Sequence, residues 1–347
     1  MTTTINNEHK KLNVPNIRFP EFEGEWTESK LGDVATSISS GKSKASCGNY
    51  NLYGSTGVIG KTCEAFYEGQ MLLIARVGAN AGKLQIINEK CGITDNTLIV
   101  KTERIPATYI YYYLQHFNLN RLIFGSGQPL ITGGMLKKVM IPLGNDTEQN
   151  KITNLLSLID VRIATQSKVI NRLQSLIKGI ANKSFHVARE TKPLLEFAPN
   201  ITSGNDKNGS GTIPLYGSTG IIGMVKNASQ KGNIVLVARV GTIGTVQFVN
   251  EPCGVSDNAL IIEAGDMTKY IYYFLKTYNF ARITSGTTQP LITASSLKKI
   301  AIPVFDIEKS SNIVRCLSGL EKKLNIEKRY LLDMVMIKQY LLRQMFI

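Results

Sequence analysis

The stretch Gly54 to Thr62 reads GSTGVIGKT, a glycine-rich run closing on Lys-Thr. Backbone amides in such a run can cradle phosphates, with the lysine reaching the outer ones. The spacing defeats that chemistry. Five residues separate Gly54 from Gly60 where a phosphate loop needs four, and a later copy has Met224–Val225 in place of Lys61–Thr62. Pro20–Glu21 followed by Glu28–Ser29–Lys30 imitates a nuclease carboxylate–lysine signature, but the spacing is too short to bring both acids onto one metal. His9, His116 and His186 are scattered and offer neither a metal cluster nor an acid–base pair. Cys47, Cys63, Cys91, Cys253 and Cys316 are odd in number and hold no C-x-x-C pair, so neither a disulfide framework nor a zinc site fits. No Asn/Asp-Pro-Pro-aromatic stretch for base methylation occurs. The chain reads as non-catalytic, with no metal and no cofactor of its own.

Binding is what the charge favours. The net charge is +14, from 40 basic and 26 acidic residues, and a surplus of that size favours a polyanion, nucleic acid first. It is spread through the chain: residues 27–146 carry +4, 147–190 carry +4, 191–306 carry +3 and 307–347 carry +4, while 1–26 carry −1. No apolar run reaches the roughly 18 residues of a membrane span. Met1 to Lys11 lacks the apolar stretch of a signal peptide. These features place the chain in the cytoplasm, away from membranes.

The elements that must position any binding residues come in duplicate. Tyr53 to Gly60 (YGSTGVIG) returns as Tyr216 to Gly223 (YGSTGIIG), identical at seven of eight places. ARVG at Ala75 returns at Ala238, Asn88–Glu89 at Asn250–Glu251, and Asp95–Asn96 at Asp257–Asn258. YIYYYL at Tyr109 returns as YIYYFL at Tyr270, and QPLIT at Gln128 returns at Gln289. The matches keep one order at a nearly constant offset, which is a duplicated domain. Each copy mixes short buried strands (Met71–Arg76 and Asn233–Arg239; Thr97–Lys101 and Ala259–Ile262) with a tyrosine-rich helix (Thr108–Phe117 and Lys269–Tyr278). The fold class is α+β.

After each copy the texture changes to heptads. The first seam is Ile152, Leu156, Ile159, Ile163, Gln166, Ile170, Leu173, Ile177 and Ile180. The second is Ile313, Leu317, Leu320, Leu324, Glu327, Leu331, Met334, Lys338 and Leu341. Alternating steps of four and three mark a coiled-coil seam. Gln166 and Glu327 interrupt both seams at one level, as register-setting polar residues do. Two helices of matched length on one chain most simply pair antiparallel. Asp146 with Gln149 is the expected capping box of the first helix, and Asp306 the expected cap of the second, with Lys309 where Gln149 stood. The expected organisation is a lead-in (1–26), a first domain (27–146), a spacer helix (147–190), a second domain (191–306) and a second spacer helix (307–347).

This order resembles the specificity subunit of type I restriction-modification systems. Val14 to Trp26 with Leu31–Gly32–Asp33 looks like that family's lead-in, and the Tyr53 motif, Gly127–Gln128–Pro129, Ile141–Pro142 before Glu148–Gln149, Ile177–Lys178–Gly179 and Gln344–Met345–Phe346 fit it too. The resemblance implies two target recognition domains, each reading one half of a bipartite, asymmetric site in double-stranded DNA, with the helices setting the gap. It implies docking of two methyltransferase subunits that carry S-adenosylmethionine and methylate adenine. Motor-nuclease subunits with ATP and Mg complete the complex, a defence against foreign DNA.

Residues expected at the DNA are repeat-matched polar groups in glycine-rich loops, since Arg reads guanine and Asn or Gln reads adenine. In the first domain they are Lys42, Lys44, Tyr53, Ser55, Thr56, Arg76, Asn96, Ser126 and Gln128. In the second they are Lys207, Tyr216, Ser218, Thr219, Arg239, Asn258, Ser285 and Gln289. Arg76 and Arg239 stand at strand ends, where a structural ion pair is the competing role. The rival to the subunit reading is a stand-alone DNA-binding regulator, which would bind its site tightly without partners.

Overall fold

The computed structural model describes residues 13–123, 127–286 and 290–347. The chain divides into two compact units, Met1–Gln166 with Tyr330–Ile347, and Ser167–Arg329.

In the first unit β1 (Thr27–Lys30) leads into a single turn, α1 (Leu31–Val34), and β2 (Ser37–Ser40). Then come the hairpin β3 (Tyr50–Gly54) and β4 (Gly57–Thr62), β5 (Gln70–Ala75), β6 (Leu84–Asn88), β7 (Gly92–Ile93) and β8 (Thr97–Lys101). Helix α2 (Ala107–Phe117), the turn α3 (Gly133–Lys137) and β9 (Met140–Leu143) precede the long helix α4 (Asp146–His186). Strands β2-β8-β5-β6 form an antiparallel sheet, β4-β3-β7 a smaller one, and β1 pairs with β9.

The central strands explain the layering. β5 and β8 are buried on both faces, so each face needs a cover. Leu72, Ile74, Leu98 and Val100 pack toward α2, while Met71, Leu73 and Ile99 pack toward the small sheet with Cys91 and Ile93. The alternation is the period of two of a strand. α2 is tied down by its tyrosines, whose buried hydroxyls need acceptors. Tyr109 donates to the Pro142 carbonyl at 2.8 Å, and Tyr112 to Asp160 on α4 at 2.9 Å.

The second unit repeats this plan. Its strands are β10 (Glu190–Pro193), β11 (Thr202–Ser203), β12 (Ile213–Gly217), β13 (Gly220–Val225), β14 (Ile234–Ala238), β15 (Val246–Val249), β16 (Gly254–Val255), β17 (Ala259–Ile262) and β18 (Ala301–Val304). Its helices are α5 (Leu194–Phe197), α6 (Thr268–Leu275), α7 (Ala294–Lys298) and the long α8 (Ile307–Gln344). The sheets are β11-β17-β14-β15, β13-β12-β16 and β10-β18. Tyr270 donates to the Pro303 carbonyl at 2.8 Å and Tyr273 to Glu321 at 3.0 Å, the same anchors in the same places.

Each unit holds the first part of one long helix and the last part of the other, and within each unit the two segments share a core. Ile152 and Leu156 pack with Leu342, Met345 and Phe346 in the first; Leu173, Ile177 and Phe185 pack with Ile313 and Leu317 in the second. This is the antiparallel order. Lys338, a polar seam position, pairs with Asp160 at 2.7 Å. Ile152, Leu156, Ile170, Leu173, Ile177, Ile313, Leu317 and Met334 are buried. Ile159, Ile163, Gln166, Leu320, Leu324, Glu327, Leu331 and Leu341 are partly buried.

The helix caps correct one expectation. The first cap is Asn145, not Asp146: its Oδ1 accepts from the Glu148 amide at 2.9 Å. Gln149 reaches back from one turn inside, donating to the Gly144 carbonyl at 2.8 Å. Asp306 caps α8 through the Lys309 amide at 2.6 Å. Aligned on these caps, Lys309 corresponds to Glu148 rather than to Gln149. Glu148 is fully buried and clamped by Arg18 (2.7 and 2.8 Å) and the Trp26 indole (3.0 Å), which fastens the lead-in to the helix start.

Phe185 and Phe346 occupy matched ends of the long helices, against Tyr270 and Phe274 in one unit and Tyr109 and Tyr113 in the other. Phe185→Ala and Phe346→Ala should each cost about 3–5 kcal/mol, read by denaturant unfolding of the full chain. His116 stacks on Phe346 and has Thr277 as its counterpart. Its pKa lies below the ordinary 6.5, first because burial disfavours the imidazolium and then because Arg121 and Arg343 repel it. The unfolded chain therefore binds this proton more readily. His116 contributes no pH dependence above about 6.5, and stability falls as pH drops below it toward the folded value. His116→Gln should flatten that acid limb in unfolding experiments between pH 7.5 and 5.

Candidate nucleic-acid interface

The buried strand β5 ends at Ala75, and the next residue organises one edge of the unit. The Arg76 amide donates to the Asn96 carbonyl at 2.9 Å, and its own carbonyl accepts from Ile131 at 2.8 Å. Ser55, at the tip of the β3–β4 hairpin, donates to the same Asn96 carbonyl at 3.3 Å. Gly78 donates to the Pro129 carbonyl at 3.0 Å, which brings the Gln128 loop alongside. Ser55, Thr56, Arg76, Asn96 and Gln128, far apart in sequence, thus share one edge.

The second unit repeats the assembly. The Arg239 amide donates to the Asn258 carbonyl at 3.0 Å, and its carbonyl accepts from Ile292 at 3.0 Å. Ser218 donates to the Val240 carbonyl at 3.1 Å, with Thr219 exposed beside it. Ser285 pairs with Leu291 through both backbone bonds. Ser126 and Gln289 lie outside the described residues.

Both arginines are unusual in the same way. The Nε of Arg76 and that of Arg239 are buried and have no hydrogen-bond partner among the described residues. Neither guanidinium has an ion-pair partner among the described residues. Thr56, Asn96, Gln128, Thr219, Asn258 and Ser285 are exposed.

The tyrosines play a different part. Tyr53 donates its hydroxyl to Glu89, and Tyr216 donates to Glu251 at 2.7 Å. Burial, reinforced by these carboxylates, pushes both phenols up to about 12. The Tyr53 bond, followed by that from Asn51, holds the Glu89 carboxyl below its ordinary range. Gln85 and Gln247 donate to the Gly54 and Gly217 carbonyls at 3.3 and 2.8 Å. Together these bonds brace the hairpins. Glu89 and Glu251 stood in the repeated Asn-Glu pair, but nothing in their spacing marked them as anchors.

Lys42 and Lys44 are exposed on the loop after β2, with Lys42 over the Phe66 ring at 5.1 Å and the Lys44 amide bound to Glu64 at 2.9 Å. Lys207 is exposed in the matching loop, which Asp206 anchors through the Val255 amide at 2.8 Å. The phosphate-loop look-alike is the end of β3, the hairpin turn and β4, and no helix follows it directly. Among the described residues no group of acids, histidines and cysteines could hold a metal, and no helix is long and apolar enough to cross a membrane.

The family described as the type I restriction modification DNA specificity domain matches residues 23–175 and again 190–333. The chain belongs to the type I restriction-modification specificity subunit family. The double match follows the duplication read from the sequence. A putative type I specificity subunit of Mycoplasma genitalium is 22% identical over 308 residues, 78% of this chain and 79% of that protein. A putative type I restriction enzyme specificity subunit of Haemophilus influenzae is 26% identical over 143 residues, 38% of this chain and 37% of that protein. In fold the chain is similar to the crystal structure of a type I restriction-modification S subunit from M. genitalium, with a TM-score of 0.73 and 18% identity over 96% of this chain and 99% of that one. A chain from a structure of type I system assembly and conformational transition matches at 0.56 and 12% identity, covering 93% and 97%.

The hairpin braces are testable apart from function. Tyr53→Phe and Tyr216→Phe each remove a bond to a carboxylate worth about 1.5 kcal/mol. Amide hydrogen exchange in the affected hairpin should accelerate roughly tenfold, with the other hairpin unchanged.

Proposed function

We propose that this chain is the non-catalytic DNA-reading subunit of a type I restriction-modification complex. Residues 27–146 and 191–306 are the two target recognition domains, each reading one half of a bipartite asymmetric site. The long helices set the gap between halves and carry two methyltransferase subunits. Adenine methylation with S-adenosylmethionine, and the ATP- and Mg-dependent motor-nuclease step, belong to those partners.

The observation that carries this reading is the repeated edge. Arg76 with Asn96 and Gln128, and Arg239 with Asn258, bring the side chains that read base edges to one place on each unit. Arg76 and Arg239 themselves are only partly buried. A partner surface is supported by a second apolar stripe outside the seam. On α4 it exposes Leu158, Val161, Val169 and Leu176; on α8 it exposes Ile326, Tyr330, Ile337 and Tyr340. Heptad-like spacing of exposed apolar groups suits helices from another subunit, and one stripe per helix suits two copies.

The deciding experiment maps methylated adenines across the genome with and without this chain. One bipartite motif should vanish on deletion and return on complementation; if no motif depends on the chain, the reading is wrong. Tight specific binding by the chain alone would favour the stand-alone regulator. Arg76→Gln and Arg239→Gln should each weaken binding of the assembled complex by about 1–3 kcal/mol while leaving its assembly intact.

A further inference from the structure

The hairpins carry a feature that polar readout does not use. In the β3–β4 pairing Leu52 faces Gly60 and Tyr53 faces Val58, so Ile59 is an extra residue in a β-bulge. The β12–β13 pairing has the same shift, with Leu215 facing Gly223, Tyr216 facing Ile221, and Ile222 extra. Such bulges re-aim side chains. Here they leave two consecutive aliphatics in the open: Val58 and Ile59 are 53% and 55% exposed, and Ile221 and Ile222 are 57% and 49% exposed.

The ledge is seated rather than loose. A Cβ on Gly54 would stand 2.9 Å from Cδ1 of Ile59, and one on Gly217 would stand 2.9 Å from Ile222. Each isoleucine therefore lies across the glycine of the facing strand, and a larger residue there would push it aside. Both strands bearing the ledge are sheet edges. The turn beside each ledge is the one whose serine reaches the carbonyls around Arg76 or Arg239. The hairpin that bears the ledge is thus bonded through its turn to the arginine edge.

We infer that the ledge contacts the 5-methyl groups of thymine in the DNA major groove, and that each half-site carries thymine at an equivalent place. The occupant follows from three properties. A two-stranded ribbon fits the major groove, where thymine alone offers a methyl group. An aliphatic pair on a hairpin whose turn is bonded to the arginine edge matches a surface that mixes methyls with acceptors. The same ledge occurs in both repeats, so the contact is common to both halves. This inference rests on the proposed DNA-reading function and assigns one determinant within it.

The test uses the complex assembled with its methyltransferase subunits and a duplex in which each thymine of the site is replaced singly by deoxyuridine, which removes only the methyl. At least one thymine in each half should show weakened binding, about fourfold for each methyl lost. Val58→Ala/Ile59→Ala should abolish the uridine penalty in one half only, and Ile221→Ala/Ile222→Ala in the other. Val58→Ile/Ile59→Val should keep it, which separates lost contact from lost folding. A wild-type complex that binds its bipartite site but shows no uridine penalty in either half overturns the ledge while leaving the DNA-reading function standing. Alanine variants whose assembled complex keeps the uridine penalty in both halves overturn it, and weaker assembly of those variants would mark the ledge as a protein interface. Absence of specific DNA binding by the wild-type complex removes the function itself.

Discussion

A buried phenol must give its proton to something, and that constraint fixes the architecture of both units. The YIYYYL and YIYYFL helices cover the central sheet with their apolar sides, yet each brings hydroxyls into the interior. Tyr109 and Tyr270 spend theirs on the carbonyls of Pro142 and Pro303, just before the long helices begin. Tyr112 and Tyr273 spend theirs on carboxylates further along those helices. Every acceptor lies on or beside a long helix, so covering the sheet and aligning the helix are one event. A leucine in place of any of these tyrosines could fill space but would carry no information about orientation.

The binding edge follows from where the covered sheet stops. Val77 and Val240 are already only partly buried, while the strands before them are buried from Met71 to Ala75 and from Ile234 to Ala238. At that boundary the backbone of Arg76 or Arg239 must find partners outside its own sheet. It takes the Asn96 or Asn258 carbonyl on one side and the Ile131 or Ile292 amide on the other. Backbone needs therefore gather the loops, which leaves the side chains of those loops free for a ligand.

Patterns that repeat were legible because period and duplication speak directly: the two-faced strands, the tyrosine helices and the heptads all appear where hydrophobic spacing put them. The cap of α4 was misplaced by one residue because Asn145 and Asp146 are both good caps; Asp306, 161 residues after Asn145, held the discriminating information. The Arg18–Glu148–Trp26 clamp was out of reach, since 130 residues separate the ion pair and no repeat echoes it. The hairpin bulge was hidden for another reason. YGSTGVIG shows alternation in outline, but whether Val58 and Ile59 face opposite ways or are both left exposed depends on a register that sequence spacing does not state.

The differences between the copies are as ordered as the likenesses. Where the first unit has Gly144, Glu148 and Trp26, the second has Phe305 and Lys309, with the lysine over the ring at 4.2 Å. A carboxylate clamped by an arginine has been replaced by a cation on an aromatic face, so each helix start is closed by its own chemistry. Gly144 cannot be phenylalanine while Trp26 and Glu148 occupy that space, because even a Cβ there would stand 2.5 Å from Glu148 Oε2. The lead-in segment is thus specific to the first unit, and the substitution at 305 shuts the corresponding place in the second. Duplication supplied two equivalent frames, and local packing then made their entrances distinct without disturbing the shared arginine edge.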